Sequence, residues 1–408
     1  CLTWRSRREP DMDEYFQALM QLNTHSQEFH PLLPVGTHDE RARQEFIKSY
    51  HNRAANWSRS EAGKIYAGRV SQEFQKEQGR PPESRKEARL ALEKDIYWQF
   101  IVGLRRSAQE QLWASCIDTV ERNVEQLKQT AESADRGLGS LRTDPDLEIP
   151  GYISAVDIHA MPGNYHTEYC EGDLSQGAVY ERGTFLYTHG YNGRLIDNLG
   201  KGVLAYIRNK WPDFKPERIL DMGAAIGNST LPYCEAFPDA EIHAIDIGAP
   251  MVRYGYARAN ALGAAVHFSQ QNAEHTDFED GSFDLVMSHI MFHETSRTAI
   301  PKIFKESRRL LRPGGIMVHA DLPNISMIPD LFQQVAVNQD HYDNNEPMWA
   351  SYHDLDIKAL IGAAGFDADK IYMDMGSMII SVPPSSSNPD TSRTVTGRFG
   401  YGIMAAAV

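Results

Sequence analysis

A short apolar strand that passes through a glycine turn into the start of a helix, residues 218–230, constrains the fold most strongly. In open α/β sheets this succession of elements brings the backbone close to a nucleotide-like ligand. A dinucleotide fingerprint, G-x-G-x-x-G, placed on Gly223 would need glycines where the chain has Ala225 and Asn228. A G-x-G-x-G spacing fits better, because Gly223 and Gly227 match it and Ala225 is the smallest replacement at the middle position.

Strands and helices alternate after this turn. The strand predicted at Glu241–Asp246 ends in an acid, 23 positions after Gly223. A carboxylate there can accept hydrogen bonds from both hydroxyls of a ribose. Further strands are predicted at 266–272, 281–290 and 316–321, and a Pro-Gly-Gly turn precedes the last of them.

These five units, in this order, resemble the motif series of class I methyltransferases that use S-adenosylmethionine, in the ubiquinone/menaquinone-type branch. The resemblance covers about residues 217–366 and departs from the family at Ala225 and Asn272, where the family usually has Gly and Asp. It implies an α/β fold with a Rossmann-like, seven-stranded methyltransferase sheet. The cofactor that it implies is S-adenosylmethionine.

The resemblance also implies which residues bind the cofactor. Asp221 corresponds to the acid that anchors the methionine amino group, and Asp246 to the acid that binds the ribose. The amide oxygen of Asn272 can accept from the adenine amine, as the family's Asp does. The expected cofactor-binding residues are Asp221, Gly223, Ala225, Gly227, Asp246, Ile247, Asn272, Ala273 and His289.

His293 and Glu294 are the expected catalytic residues, because they follow the fourth strand, which faces the transferred methyl group in related enzymes. A histidine, with an ordinary pKa of about 6.5, is suited to accept a proton at neutral pH. The alternative is that His293 caps a helix or contacts the cofactor carboxylate. No recognised ligand spacing predicts a metal site, including at His319 and Asp321.

The chain divides into a helical N-terminal domain at 1–135, a turn-rich linker at 136–151 and a methyltransferase domain at 152–408. Apolar residues recur at helical spacing between 96 and 127 and therefore need a partner to bury them. The N-terminal helices are expected to cover the substrate or to form a homodimer. The alternative is a purely structural extension.

Two segments are expected to contact the substrate. Gly, Pro, His and Tyr are dense at 158–190, just before the first motif, and a polar, aromatic insert at 322–352 follows the fifth strand as a candidate lid. The alternatives are a loop packed by its own aromatics and an ordinary surface loop. The candidate substrate-binding residues are Tyr165, His166, Tyr180, Tyr187, Tyr342 and Trp349. The tail predicts strands at 370–382 and 401–407 around a Pro/Ser-rich turn.

The charge balance argues against a nucleic-acid substrate. Lys and Arg number 41 against 55 Asp and Glu, a net charge of −14, and no basic stripe is present. No apolar run is long enough to span a bilayer and no secretory signal is visible, so a cytoplasmic protein without a membrane partner is expected. The four cysteines are widely spaced and match no zinc pattern.

These observations predict an enzyme that transfers a methyl group from S-adenosylmethionine to a small-molecule acceptor, a metabolite or natural product. One alternative is a catalytically silent protein on the same fold that binds cofactor or a partner, which Ala225 would favour. A nicotinamide-dependent oxidoreductase is disfavoured by Asn228 and by the missing Tyr-x-x-x-Lys pattern. Another reaction of S-adenosylmethionine is also compatible with the fold, because fold does not determine chemistry.

Overall fold

A sheet of eight strands forms the centre of the described part of the chain, which in this computed structural model is residues 27–382 and 393–408. The order across the sheet is β1-β4-β3-β2-β5-β6-β8-β7. The strands are β1 (Gly139–Arg142), β2 (Arg218–Met222), β3 (Glu241–Asp246), β4 (Val266–Gln270), β5 (Phe283–His289), β6 (Leu311–Asp321), β7 (Ile371–Val382) and β8 (Arg393–Ala407). The turn predicted at 383–390 and any helix before residue 27 lie outside the described residues.

Strands β1 to β6 pair in parallel, and β8 runs antiparallel to both β6 and β7. The predicted α/β fold is therefore confirmed, but the sheet has eight strands instead of seven. The additional strand β1 lies in the segment predicted as a linker and pairs with β4, Gly139 opposite Val266. A Cβ at Gly139 would collide with the backbone of Val266, so this glycine permits the close approach that forms the edge strand.

Helices occupy most of the chain before the sheet, and helices also connect its strands. The α-helices are α1 (His38–Ile65), α2 (Ser71–Gln78), α3 (Arg85–Leu92), α4 (Ile96–Arg122), α5 (Val124–Ala134), α6 (Gly151–Ser154), α7 (Ser175–Tyr187), α8 (Asn198–Lys210), α9 (Leu231–Ala236), α10 (Ala249–Leu262), α11 (Ile300–Leu310), α12 (Leu331–Asn338), α13 (Asp340–Asp343), α14 (Trp349–His353) and α15 (Ile357–Ala363). A π-helical turn, Tyr66–Val70, joins α1 to α2, and short 3-10 turns lie at Ile158–Ala160, Phe292–Glu294, Ile325–Met327 and Ala368–Lys370. Within residues 27–382 and 393–408, no helix combines the length and apolar composition needed to cross a bilayer.

The two faces of the sheet are covered by different helices. Because side chains alternate along a strand, Ile219 of β2 packs with α8 and α10 on one face, and Leu220 packs with α11 and α15 on the other. Both side chains are fully buried. The carboxyl ends of the parallel strands consequently meet at one edge between two packed layers, where ligands bind in open sheets.

The N-terminal helices bury apolar residues against the helices that flank the sheet. Trp113 of α4 shares an apolar cluster with Phe185 of α7 and Tyr254 of α10. A buried polar group also joins the N-terminal region to the rest of the chain, because His30 Nε2 lies 3.0 Å from Glu181 Oε1 of α7, and that same oxygen lies 2.8 Å from Arg258 of α10. The apolar residues predicted at 112–127 are therefore mostly buried within the chain itself, whereas Ile96 and Phe100 at the start of α4 are exposed. A homodimer remains a prediction.

The insert after β6 contains core residues, contrary to the expectation that it is too polar and aromatic to do so. Its helices α12 to α14 fold back onto the N-terminal helices, with Phe332 and Trp98 in one apolar cluster. Asn344, Glu346 and Trp349 are all buried. The polar members are tolerated there because they bond to one another, the amide nitrogen of Asn344 lying 3.1 Å from Glu346 Oε1.

Candidate active site

The turn after β2 has an unusual backbone. Gly223, Ala225 and Gly227 have φ angles of 66°, 48° and 71°, in the left-handed region. Glycine adopts this conformation without penalty, whereas alanine loses about 1–2 kcal/mol. A Cβ on Gly223 would lie 2.6 Å from the sulfur of Met291, and one on Gly227 would lie 2.7 Å from the ring of Phe268. The two glycines are therefore required by both backbone geometry and packing.

Asp246 ends β3 and binds this turn through its carboxylate. Its Oδ2 accepts from the Ala225 N–H at 2.8 Å, and its Oδ1 accepts from the Gly248 N–H at 2.9 Å. Burial raises the pKa of Asp246, and the two N–H groups offset part of that rise. A carboxylate has about four acceptor positions, so two remain for a ligand beyond these N–H groups. These two free acceptor positions fit the two hydroxyls of a ribose, each of which can donate one hydrogen bond.

A first cavity, the cofactor cavity, opens at the carboxyl ends of β2 to β5. Seven of the nine expected cofactor-binding residues line it: Gly223, Ala225, Asp246, Ile247, Asn272, Ala273 and His289. The oxygen of Asn272 already accepts from the Glu274 N–H at 2.9 Å, so only its second lone pair is left for an adenine amine. Of the other two expected residues, Asp221 lines the neighbouring cavity. Gly227 belongs to the turn but lines neither cavity.

A second cavity of about 270 Å³, the acceptor cavity, lies between the glycine turn and the N-terminal helices. Tyr165, Tyr180 and Tyr187 line it as predicted. Trp113 of α4, which sequence reasoning did not select, lines it as well. Burial raises the pKa of Tyr187 to about 12, so its phenol is neutral at physiological pH. The cavity wall therefore combines neutral aromatic side chains with the carboxyl groups of Asp221 and Glu294.

Three predicted substrate-binding residues lie away from both cavities. The His166 imidazole is half-buried, which lowers its pKa. Tyr342 is 44% exposed, and the guanidinium of Arg89 lies 4.5 Å from its ring centre. Trp349 is buried and donates from its indole N–H to the Val337 carbonyl at 2.8 Å. Sequence could place these aromatics in the correct segments but could not tell which of them face the cavity.

His293, the expected catalytic base, lies behind the cavity wall. Its Nδ1 is 2.6 Å from Asp321 Oδ1, and its ring packs edge-on against Trp349 with centres 4.8 Å apart. Burial alone would lower the pKa of His293, but the Asp321 carboxylate outweighs it and raises that pKa well above the usual value. Its Nδ1 is thus occupied by Asp321, and its ring lines neither cavity. A role for His293 as a base stays a prediction.

Glu294, the other expected catalytic residue, borders both cavities. Its Oε1 accepts from the Tyr165 hydroxyl at 3.2 Å and lies 3.0 Å from His159 Nε2. Burial alone would raise the pKa of Glu294, but the His159 imidazole overcomes that effect and holds it well below its usual range. The side chain is therefore a carboxylate at the boundary between the cavities.

His159 and Glu346 complete this polar group and were not selected from the sequence. His159 Nδ1 lies 2.5 Å from Glu346 Oε1. Burial and the nearby Glu294 raise the pKa of Glu346 to about 7. His159 has a left-handed backbone with φ of 57°, and its carbonyl accepts from the Trp113 indole at 2.8 Å. The sequence signal that could have pointed to His159 is the density of Gly, Pro, His and Tyr at 158–190, which predicts a substrate contact in that segment.

Comparison with known proteins covers mainly the cofactor half of this site. Residues 219–315 match the model of a family described as "Methyltransferase domain". The chain is 35% identical over 131 residues to a malonyl-[acyl-carrier protein] O-methyltransferase of Methylococcus capsulatus, covering 31% of this chain and 45% of that protein. It is 28% identical over 171 residues to a ubiquinone/menaquinone biosynthesis C-methyltransferase of Dinoroseobacter shibae, covering 38% of this chain and 68% of the relative.

The likeness is partial in extent. The match spans less than half of the Methylococcus relative. Among solved structures, phosphoethanolamine N-methyltransferase 2 of Haemonchus contortus superposes with a TM-score of 0.34 at 21% identity over 44% of this chain and 38% of that chain, a score too low to support any assignment. The matched family region contains the turn after β2 and Asp246, whose geometry fits a ribose. The chain thus contains a class I methyltransferase domain whose cofactor is S-adenosylmethionine.

Proposed function

We propose that this protein transfers a methyl group from S-adenosylmethionine to a small molecule bound in the acceptor cavity. One observation carries the proposal: the two cavities share a wall. A cofactor bound with its ribose at Asp246 therefore has its methionine portion directed toward the acceptor cavity, where Asp221 lies. The residues that border both cavities are Tyr165, Tyr180, Gly223, Ala225, His289, Ile290 and Glu294.

The side chains around this wall have separate tasks. When bound, S-adenosylmethionine supplies a methyl group on a positively charged sulfur. Asp246 holds the ribose hydroxyls, and Asp221 accepts from the methionine amino group. Asp221 is buried, and its Oδ2 also accepts from the Thr230 hydroxyl at 2.7 Å. Tyr165 and Tyr180, whose ring centres are 6.0 Å apart, exclude water and hold the acceptor near the methyl group.

A small acceptor suits the enclosure better than a polymer. The acceptor cavity is bounded by α4, α7 and the segment after β6, represented by Trp113, Tyr187 and Leu322. The net charge of −14 is unfavourable for a nucleic acid. The name of one relative points the same way, because it refers to ubiquinone/menaquinone biosynthesis.

Calorimetric titration with S-adenosylmethionine, S-adenosylhomocysteine and NAD tests the cofactor part of the proposal. We expect the first two to bind and NAD not to bind. Absence of binding by both sulfur compounds would refute the proposal. Methyl transfer is then measured as S-adenosylhomocysteine release with acceptors that bear a hydroxyl, amine, thiol or activated carbon. Cofactor binding without turnover on any class would favour the silent protein on the same fold.

A further inference from the structure

Two imidazoles, that of the partly buried His159 and that of the buried His293, converge on one carboxylate next to the acceptor cavity. His159 Nε2 lies 3.0 Å from Glu294 Oε1, and His293 Nε2 lies 3.4 Å from the same oxygen. His293 is 1% exposed and Glu294 is 8% exposed. Together with Glu346, one ligand atom from each of the four residues lies within 4.8 Å of the others. Such a density of nitrogen and oxygen donors away from solvent requires a physical explanation.

The far side of each imidazole is held by its own carboxylate. His159 Nδ1 lies 2.5 Å from Glu346 Oε1, and His293 Nδ1 lies 2.6 Å from Asp321 Oδ1. Metal-binding histidines commonly have this arrangement, in which one ring nitrogen donates to a carboxylate and the other faces the ion. The carboxylates determine which nitrogen is free. Both Nε2 atoms are thereby directed toward Glu294.

Several atoms in this cluster have no hydrogen-bond partner within the described residues. They are His293 Nε2, Glu294 Oε2 and Glu346 Oε2. Buried polar atoms are rarely left unpaired, because each costs about 1–3 kcal/mol. An ion bound by His293 Nε2 and Glu294 Oε1 would give the first of these atoms a partner, and one carboxylate oxygen of Glu346 lies within 4.8 Å of the other ligand atoms. The unpartnered atoms therefore favour an ion-binding site over a self-contained ionic network.

We propose that His159, His293 and Glu294 bind one divalent transition-metal ion, with zinc as the ion that fits best. Zinc takes imidazole nitrogen and carboxylate oxygen at about 2.0–2.2 Å, which puts its ligand atoms about 3.3 Å apart in a tetrahedral site. The two separations from Glu294 Oε1, 3.0 and 3.4 Å, are of this size. Magnesium fits less well, because it prefers oxygen ligands in octahedral geometry.

The cluster has an open side that faces the acceptor cavity. His159 and Glu294 both line that cavity, whereas His293 lies behind them. Three protein ligands and one open position are typical of catalytic zinc sites. An oxygen of the acceptor would occupy the open position, and the ion would hold it near the wall that both cavities share. This role rests on the proposed methyl transfer, but the ion site does not.

Sequence spacing could not predict this site, because its ligands come from segments far apart in the chain. His159 lies in the 3-10 turn before α7, and His293 and Glu294 lie in the 3-10 turn after β5. The supporting carboxylates come from the end of β6 and from the insert. The fold alone brings them together.

Zinc titration of the metal-stripped full chain, followed by calorimetry, tests the inference directly. We expect one zinc ion per chain, and binding at least about tenfold weaker in His293→Asn, since even supporting residues of metal sites cost that much. His243→Asn is the matched control, because His243 Nε2 also lies beside a glutamate, 2.6 Å from Glu241 Oε1, but outside the cluster. The control should bind zinc as the unmodified chain does.

A second measurement avoids dependence on the folding of a core variant. Cobalt added to the unmodified chain should give visible d–d absorption that zinc displaces, and magnesium should not displace it. No zinc binding by the unmodified chain, or equal binding by both variants, would overturn the inference. Zinc binding without any cofactor binding would leave the ion site standing and refute the proposed methyl transfer. Cofactor binding without zinc binding would refute the ion site and leave the proposed methyl transfer standing.

Discussion

Replacement of Asp246 by Asn should weaken cofactor binding strongly, and the size of the effect can be worked from the hydrogen bonds. Each carboxylate oxygen accepts one N–H, from Ala225 at 2.8 Å and from Gly248 at 2.9 Å, which leaves about two acceptor positions for the ribose. In Asp246→Asn one acceptor oxygen becomes an NH₂ group. That NH₂ group faces a backbone N–H to which it cannot bond. It also can no longer accept a hydrogen bond from one ribose hydroxyl.

Hydrogen bonds to a charged acceptor contribute about 1.5–3 kcal/mol each. Loss of one ribose bond, and of the charge that strengthens the other, should cost about 3 kcal/mol, which is about 150-fold in Kd. We take the lower end of the range for each bond, about 1.5 kcal/mol. Burial raises the pKa of Asp246, which means that its ionised form is less stable there than in water. Calorimetry with S-adenosylhomocysteine measures the Kd directly.

The matched control is Asp239→Asn, which makes the same chemical change at an exposed position. It should leave the Kd unchanged. Circular dichroism should show that both variants retain the secondary structure of the parent. A Kd for Asp246→Asn within about threefold of the parent would refute the assignment of this carboxylate to the ribose.

Three further changes test the stability of the fold, each by urea unfolding. Ala225→Gly should raise the free energy of unfolding by up to about 1 kcal/mol. The left-handed φ of 48° strains alanine, and this strain is slightly larger than the entropy cost of ordering a glycine on folding. A loss of stability would contradict this reasoning. Glu181→Gln should cost about 3–5 kcal/mol, since Arg258 would stay buried and uncompensated, whereas a loss below about 1 kcal/mol would show that water reaches the pair. Burial lowers the pKa of His319 to about 3, so the unfolded chain, with an ordinary value of about 6.5, binds the extra proton between these values. Stability should therefore fall as pH drops below about 6.5. His319→Asn should reduce the slope of the unfolding free energy against pH by about 1 kcal/mol per pH unit between about pH 6 and 4. An unchanged slope would be inconsistent with a buried neutral imidazole.

The cofactor half of the site was predictable because its information is local. The turn after β2 and the acid at the end of β3 each depend on residues close in sequence, and parallel strands bring their carboxyl ends to one edge whatever else the chain does. Seven of the expected cofactor residues consequently line the cofactor cavity. Of the other two expected residues, Asp221 lines the acceptor cavity next to it, and Gly227 belongs to the turn but lines neither cavity.

The acceptor half was not predictable to the same depth, because its residues meet only through long-range packing. Tyr165 and Tyr342 both lie in segments expected to contact the substrate, yet only the first lines a cavity. His293 follows the fourth strand as expected, but its Nδ1 lies 2.6 Å from Asp321 of the neighbouring strand, and its ring lines neither cavity. Sequence periodicity carries no information on which polar side chains become partners across 28 residues or more.

The hydrogen bond from the Trp113 indole to the His159 carbonyl has a consequence for how such a chain can diversify. Together with Gln109, whose amide donates to the same carbonyl at 2.9 Å, it places control of the acceptor cavity on α4, outside the segment that matches the family model. Substitutions on α4 can reshape the acceptor cavity while every residue that holds the ribose stays as it is. The family segment transplanted alone would retain the cofactor turn and lose a wall of the acceptor cavity. The wall that α4 contributes can thus change separately from the turn after β2, whereas a change in the wall that both cavities share affects both.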